Sequence, residues 1–323
     1  MKSKTSSPWP WLAIGALILI VVGGLGLLTI AATMAGGGGQ IGLVELTGVI
    51  ADAESGGVLG GGRTSQDFID DLDRAQRDGS LKAVVIRINS PGGAAAASQE
   101  MFQAVERLRE VKPVVCSMGD VAASGGYYVA AGCDKIYANG ATLTGSIGVI
   151  TQLLNYQELF NKLGLKTNTI KSGEFKDAGN PNRPLTAEER QLFQQMVMGI
   201  YEQFLDDVAQ GRSRATQGRI TKAKLRPLAN GRVFTGVQAK QNGLVDELGG
   251  LHEAVLAAAK LGGVQGRPRV RKLSTSGLLG GLVQTEAQST LARGAQLLGQ
   301  AFAAGFINGI RSDSSSAPQP VLK

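Results

Sequence analysis

The sequence predicts an α/β protein, and three observations carry the prediction. Runs of branched apolar residues alternate with segments of helical periodicity, the pattern of strand–helix units around a covered parallel sheet. Glycine-rich turns punctuate the strand ends, most clearly at Asn89–Gly93 and Gly119–Gly126. Ahead of these units, Trp9 to Met34 is apolar and carries no charge, which marks one transmembrane helix in front of the folded region.

Residues 1–8 contain Lys2 and Lys4 and no acid, and read as a cytoplasmic N-terminus. Residues 9–34 read as an uncleaved anchor. The run reaches the roughly 20 residues a bilayer core requires, exceeds the core of a usual signal peptide, and has Trp9 and Trp11 at its edge. Basic residues before it and none directly after it put the rest of the chain outside the plasma membrane, as a single-pass protein. Residues 35–40 form a glycine linker.

The folded domain is expected over 41–273. Ile41–Ile50 has the branched residues of a strand. Ser65–Asp78 places Phe68, Ile69, Leu72 and Ala75 at helical spacing. Lys82–Ile88 reads as a strand covered on both faces; it ends in the turn Asn89-Ser-Pro-Gly-Gly93, and a helix follows over 94–110. The unit repeats with a strand over Pro113–Met118, a turn around Ser124, and a small-residue helix over Gly126–Gly132. Short strands are expected at Lys135–Ala138 and Lys166–Ile170, with a helix between them over Asn155–Leu163. Lys171–Pro184 is polar and turn-rich, a loop length often functional. Thr186 then opens a long helix, with Glu189 as its capping-box partner. Residues 274–310 form a weakly amphipathic C-terminal extension, and 311–323 a Ser/Pro tail expected to be disordered.

Composition excludes several function classes. The net charge is +7, yet no basic run with interleaved aromatics reads as a nucleic-acid groove. Val208 to Val245 holds eight basic residues and no acid. A solvated face explains it, with contact to anionic lipid headgroups as the sharper alternative. The two cysteines, Cys116 and Cys133, sit among apolar or small residues and read as buried free thiols. The single histidine, His252, starts an Ala-rich helix far from any serine turn, which argues against a Ser-His-Asp mechanism and excludes a histidine-rich zinc site.

The candidate chemistry centres on Ser124. A serine at a strand-to-helix junction either caps the helix or presents its hydroxyl beside outward-pointing N–H groups, as a nucleophile with an oxyanion donor. With histidine discounted, the base is a lysine, which works only when neutral, a state that burial favours. Lys171 and Lys176, both in the polar loop, qualify, and spacing does not separate them. Asn89–Gly93 is either a tight turn before a helix or the source of a second oxyanion donor.

Taken together, Asn89-Ser-Pro-Gly-Gly93, Ala123-Ser-Gly-Gly-Tyr-Tyr128, Asp134-Lys-Ile-Tyr-Ala138, Leu143-Thr-Gly-Ser-Ile-Gly148 and Lys171-Ser-Gly-Glu-Phe-Lys-Asp177 resemble the short, single-unit form of bacterial signal peptide peptidase. The resemblance runs from about Ile41 to Gly262. It implies the fold of the Clp proteolytic subunit and crotonase, a spiral of strand–strand–helix units. It further implies a serine endopeptidase with Ser124 as nucleophile, Lys176 as general base and Ser146 orienting the lysine. Gly125 would donate to the oxyanion, together with Gly92 or Gly93. No metal or cofactor is implied. The implied partners are peptides, above all signal peptides left after secretion, membrane lipids through the anchor, and further copies of the chain in a ring-like homo-oligomer. Two rival readings are a crotonase-type acyl-CoA enzyme, which the anchor argues against, and a non-catalytic membrane scaffold.

Overall fold

The computed structural model describes residues 40–52 and 64–273. The expected anchor at 9–34, most of the linker, and everything from residue 274 onward lie outside the described residues. Among the described residues no helix is long and apolar enough to cross a membrane.

Three strand–helix units come first: β1 (Ile41–Ile50), α1 (Ser65–Arg77), β2 (Ala83–Gly93), α2 (Ala95–Arg109), β3 (Val114–Ala123) and α3 (Gly125–Ala131). After them follow β4 (Lys135–Ala138), β5 (Leu143–Gly145), α4 (Gln157–Lys162), a 3-10 turn at Glu174–Asp177, and α5 (Ala187–Ala215). The chain continues through α6 (Lys222–Leu225), β6 (Val233–Thr235), α7 (Gly236–Gln241), β7 (Glu247–Leu248), α8 (Leu251–Leu261) and β8 (Val270–Lys272).

The strands form one sheet in the order β6-β5-β3-β2-β1-β8. Neighbours pair in parallel except β5 with β6. The continuous apolar run of β2 is explained by cover on both sides. Val84, Ile86 and Ile88 pack with Phe68, Leu72 and Val105 of α1 and α2. Ala83 and Val85 pack with Ala254, Val255 and Ala258 of α8. β3 forks: Val115–Ser117 pair with β4, whereas Val121–Ala123 pair with β5. The fork opens the sheet where β3 meets α3.

The turns at Asn89–Gly93 and Gly119–Ala123 differ from their expectation. Both are continuations of β2 and β3, because the two strands keep pairing past an irregularity: Ile88 faces Met118 and Ser90 faces Ala122. The expected strand at Lys166–Ile170 is not formed. Its pattern suits a strand, but among the described residues no strand comes alongside, and Ile170 is fully exposed. The helix near 155–163 shortens to α4, with no buried residue.

The basic stretch is largely neutralised by acids from outside it. Arg212 is buried and grips Asp246 with both terminal nitrogens, at 3.0 and 2.7 Å. Arg214 pairs with Glu106, Lys222 and Arg226 with Glu202, and Lys240 with Glu247. These pairs favour the solvated face over a lipid-binding patch. Cys116 and Cys133 are buried free thiols, as expected, and burial raises the Cys133 thiol well above its ordinary range. His252 lies exposed on the first turn of α8.

Candidate active site

β3 carries an extra bulge just before it delivers Ser124. While β2 advances from Ile88 to Ser90, β3 advances from Met118 to Ala122. The Asn89 side chain holds the bulge by accepting the Val121 N–H at 3.1 Å. Ser124 then leaves the strand at φ 52° and ψ −120°. A non-glycine residue in this region costs on the order of 1–3 kcal/mol and persists only where surrounding structure imposes it. The serine carbonyl begins α3 by accepting the Tyr128 N–H at 2.9 Å. The side chain makes no capping bond, and its hydroxyl has no hydrogen-bond partner among the described residues. That removes the helix-cap alternative.

Gly125, the first residue of α3, has an N–H with no partner inside the helix, as all first-turn groups do. Gly92 lies against it: a Cβ on Gly92 would stand 2.6 Å from Gly125 N and 2.8 Å from Ser124 Cβ. The two candidate donors at 92 and 93 separate here. Gly92 is buried and its N–H donates to Ser90 Oγ at 3.1 Å, whereas Gly93 is exposed and lines the same cleft as Ser124 and Gly125. Gly93 is the better placed of the two. Ser146 stands next door. Ala123 pairs with Gly145, the Ser124 N–H donates to Gly145 O at 2.9 Å, and Ser146 leaves β5 at φ 51°. Two neighbouring strands thus end in serines at positive φ.

The cleft holds about 700 Å³. Ala94–Ala96 of the α2 start form one wall, and Phe193, Ile200 and Phe204 of α5 another. Tyr128 forms the floor, stacked on Phe204 with centroids 4.3 Å apart. Its hydroxyl donates to Asp207, and burial first, then this carboxylate, push the phenol above its ordinary range. Tyr128 is therefore a fixed neutral wall, not an acid–base group. Gln99 and Gln203 also donate to Asp207, at 3.2 and 3.0 Å. An apolar trough beside a free hydroxyl and two backbone donors suits an extended chain with apolar side chains.

The two lysines also separate. Lys171 is committed: its Nζ donates to Glu174 O at 2.8 Å and to Asp177 Oδ1 at 2.7 Å. Arg183 bonds Asp177 and Glu189, and so fastens the loop to the capping box of α5. Lys176, on the 3-10 turn, is exposed; its backbone N–H donates to Gly173 O at 3.2 Å, and its side chain has no hydrogen-bond or ionic partner among the described residues. It does not line the cleft, so a single chain brings together Ser124, Gly125, Gly93 and Ser146 without Lys176.

Several contributing residues escaped the sequence reading. Phe193, Ile200 and Phe204 lie at helical spacing, which indicates only an apolar helix face and gives no sign that the first half of α5 lines a cleft. Thr142 and Thr144 are buried on either side of the exposed Leu143, at the start of β5, and threonines at alternate positions are a recognisable signal.

Peptidase family S49 matches residues 106–265, a span that includes Ser124, Ser146 and Lys176 but not Asn89–Gly93. The chain is 38% identical over 214 residues to an Enterococcus faecium protein provisionally named signal peptide peptidase SppA, covering 66% of this chain and 60% of that one. It is 39% identical over 225 residues to a protein of Synechocystis provisionally named protease slr0021, covering 70% of this chain and 75% of that one. Over 223 residues it is 37% identical to Protease 4 of Haemophilus influenzae, covering 69% of this chain and 35% of that longer protein.

Proposed function

The chain belongs to peptidase family S49, and from that premise we propose that it is a serine endopeptidase with a Ser124–Lys176 dyad. The observation that carries the proposal is the Ser124 turn: a strained serine with an uncommitted hydroxyl, beside Gly125 and Gly93, at the mouth of an apolar cleft. Ser124 Oγ attacks a peptide carbonyl as neutral Lys176 takes its proton. The tetrahedral oxyanion is held by the N–H groups of Gly125 and Gly93, donors of a kind worth about 3 kcal/mol each. The lysine then protonates the leaving amine, and water hydrolyses the acyl-enzyme by the same route. Ser146 orients the lysine.

In this reading the dyad closes on assembly. Lys176 sits at the end of an arm that exposes Ile150, Leu154, Leu163 and Ile170, and packing that arm against neighbouring copies would bury the lysine and favour its neutral form. The strand–helix units belong to a Clp-protease- and crotonase-like spiral, and residues 9–34 anchor the catalytic domain on the outer side of the plasma membrane. Substrates are then remnant signal peptides and other unfolded apolar segments, which the apolar cleft suits.

A fluorophosphonate probe tests the proposal on the detergent-solubilised full chain. Labelling is expected at Ser124 and absent in Ser124→Ala. Peptide cleavage, read by product masses, is expected to fall by several orders of magnitude in Lys176→Ala and to survive in Lys171→Ala. Unlabelled Ser124 in folded wild type would remove the nucleophile, and full activity in Lys176→Ala would remove the base.

A further inference from the structure

The strain at Ser124 needs a cause, and β5 together with the residue just before it supplies two buried hydroxyls aimed at the segment that carries it. Thr144 Oγ1 donates to Ala122 O at 2.6 Å, two residues before the nucleophile. Thr142 Oγ1 donates to Gly119 O at 2.7 Å, at the start of the bulge, and accepts the Asn139 N–H at 3.1 Å. Thr144 is 0% exposed and Thr142 2%, so water does not replace either bond. The third anchor, Asn89 Oδ1 on Val121 N–H, is exposed, and water competes for it.

The geometry points to Thr142 and Thr144 as positioning residues for the nucleophile, a role that rests on Ser124 being that nucleophile. They act through carbonyls, not on substrate. Together the two bonds pin both ends of the bulge to β5 and the residue that leads into it. The bulge then cannot relax its extra length by sliding along β5, and the chain discharges it at Ser124 as a positive φ. The same strand supplies Gly145 O to the Ser124 N–H and leads directly into Ser146. One short strand thereby sets the nucleophile and its neighbouring serine in a fixed mutual register.

The test is the rate of fluorophosphonate labelling, with the thermal midpoint, in wild type, Thr144→Val and Thr144→Ser. Valine keeps the shape and removes the donor; serine restores it. Thr144→Val is expected to label on the order of 10- to 100-fold more slowly. Its KM for a peptide is expected to be unchanged, because the cleft walls are untouched, and Thr144→Ser should recover most of the rate. Labelling of folded Thr144→Val at the wild-type rate would overturn the positioning role while leaving Ser124 as nucleophile. A wild type that does not label at Ser124 would overturn both. Should Thr144→Val fail to fold, Thr142→Val carries the same two outcomes through the Gly119 anchor.

Discussion

Gly92 has no room for a side chain and a backbone that few other residues adopt. Its φ is 98°, and a Cβ there would collide with Gly125 N, Ser124 Cβ and Ala123 O, all within 2.9 Å. None of these is a flexible side-chain end, so the β2 end and the Ser124 turn must part. Gly92→Ala is expected to cost more than about 1 kcal/mol of stability through φ alone, and to slow labelling of Ser124 by about 10²-fold through displacement. Gly48 separates the two effects: its φ is 80° with nothing within 4 Å of a built Cβ. Gly48→Ala should lower the thermal midpoint and leave the labelling rate alone. Equal labelling losses in both variants would show that strain, not collision, is responsible. At this scale the need for glycine at 92, 93 and 125 was legible from the motifs. The positive φ of Ser124 and Ser146 was not, since serine has no preference for it and tertiary contacts impose it.

The loop from Lys171 to Glu189 shows how an element without regular structure is held. Arg183 first, then Lys171, hold the Asp177 carboxyl well below the usual carboxylate range. A carboxyl with a depressed folded pKa contributes stability that is complete above its unfolded value, about 3.9. That contribution is lost as pH falls through the lower folded value. The loop is therefore expected to loosen from about pH 4 downward, with Phe175, half-exposed on its 3-10 turn, becoming a cleavage site. Pepsin nicking at Phe175 should accelerate towards lower pH beyond that of a free peptide control, and Arg183→Gln should be nicked readily throughout. A wild-type loop that tracks the control peptide at every pH would refute the network's role. Elements that rest on local signals were legible here: Thr186 and Glu189 form the capping box that their spacing indicates, and α1, α2 and the central strands follow their periodicity. The bulge of β3 was not, because its anchors Asn89 and Thr142 come from other strands or loops and leave no local pattern.

For the whole molecule, the decisive feature is an arm with no core of its own. From Ile150 to Lys176 only Gln157 and Phe160 are even partly buried, yet nine of the 27 residues are leucine, isoleucine or phenylalanine. At about 25 cal/mol per Å², leaving so much apolar surface in water is costly, and patches of this extent mark interaction sites. The unformed strand at Lys166–Ile170 fits the same account, since its pattern asks for a pairing strand and none lies alongside it among the described residues. In the proposed reading the occupant is a second copy, which also accounts for Lys176, a residue that does not line the cleft of its own chain. Leu163→Asp and Ile170→Asp place charges in the middle of the surface and leave the sheet, the cleft and Lys176 intact. Wild type in detergent is expected to scatter light as an oligomer and each variant to shift towards the monomer. Peptide cleavage should fall with the shift, because the dyad no longer closes. The thermal midpoint should hold, because neither side chain contributes to the core. A wild type that is monomeric and fully active would break the link between arm and dyad, and the lysine would then have to reach Ser124 by movement of the loop within one chain.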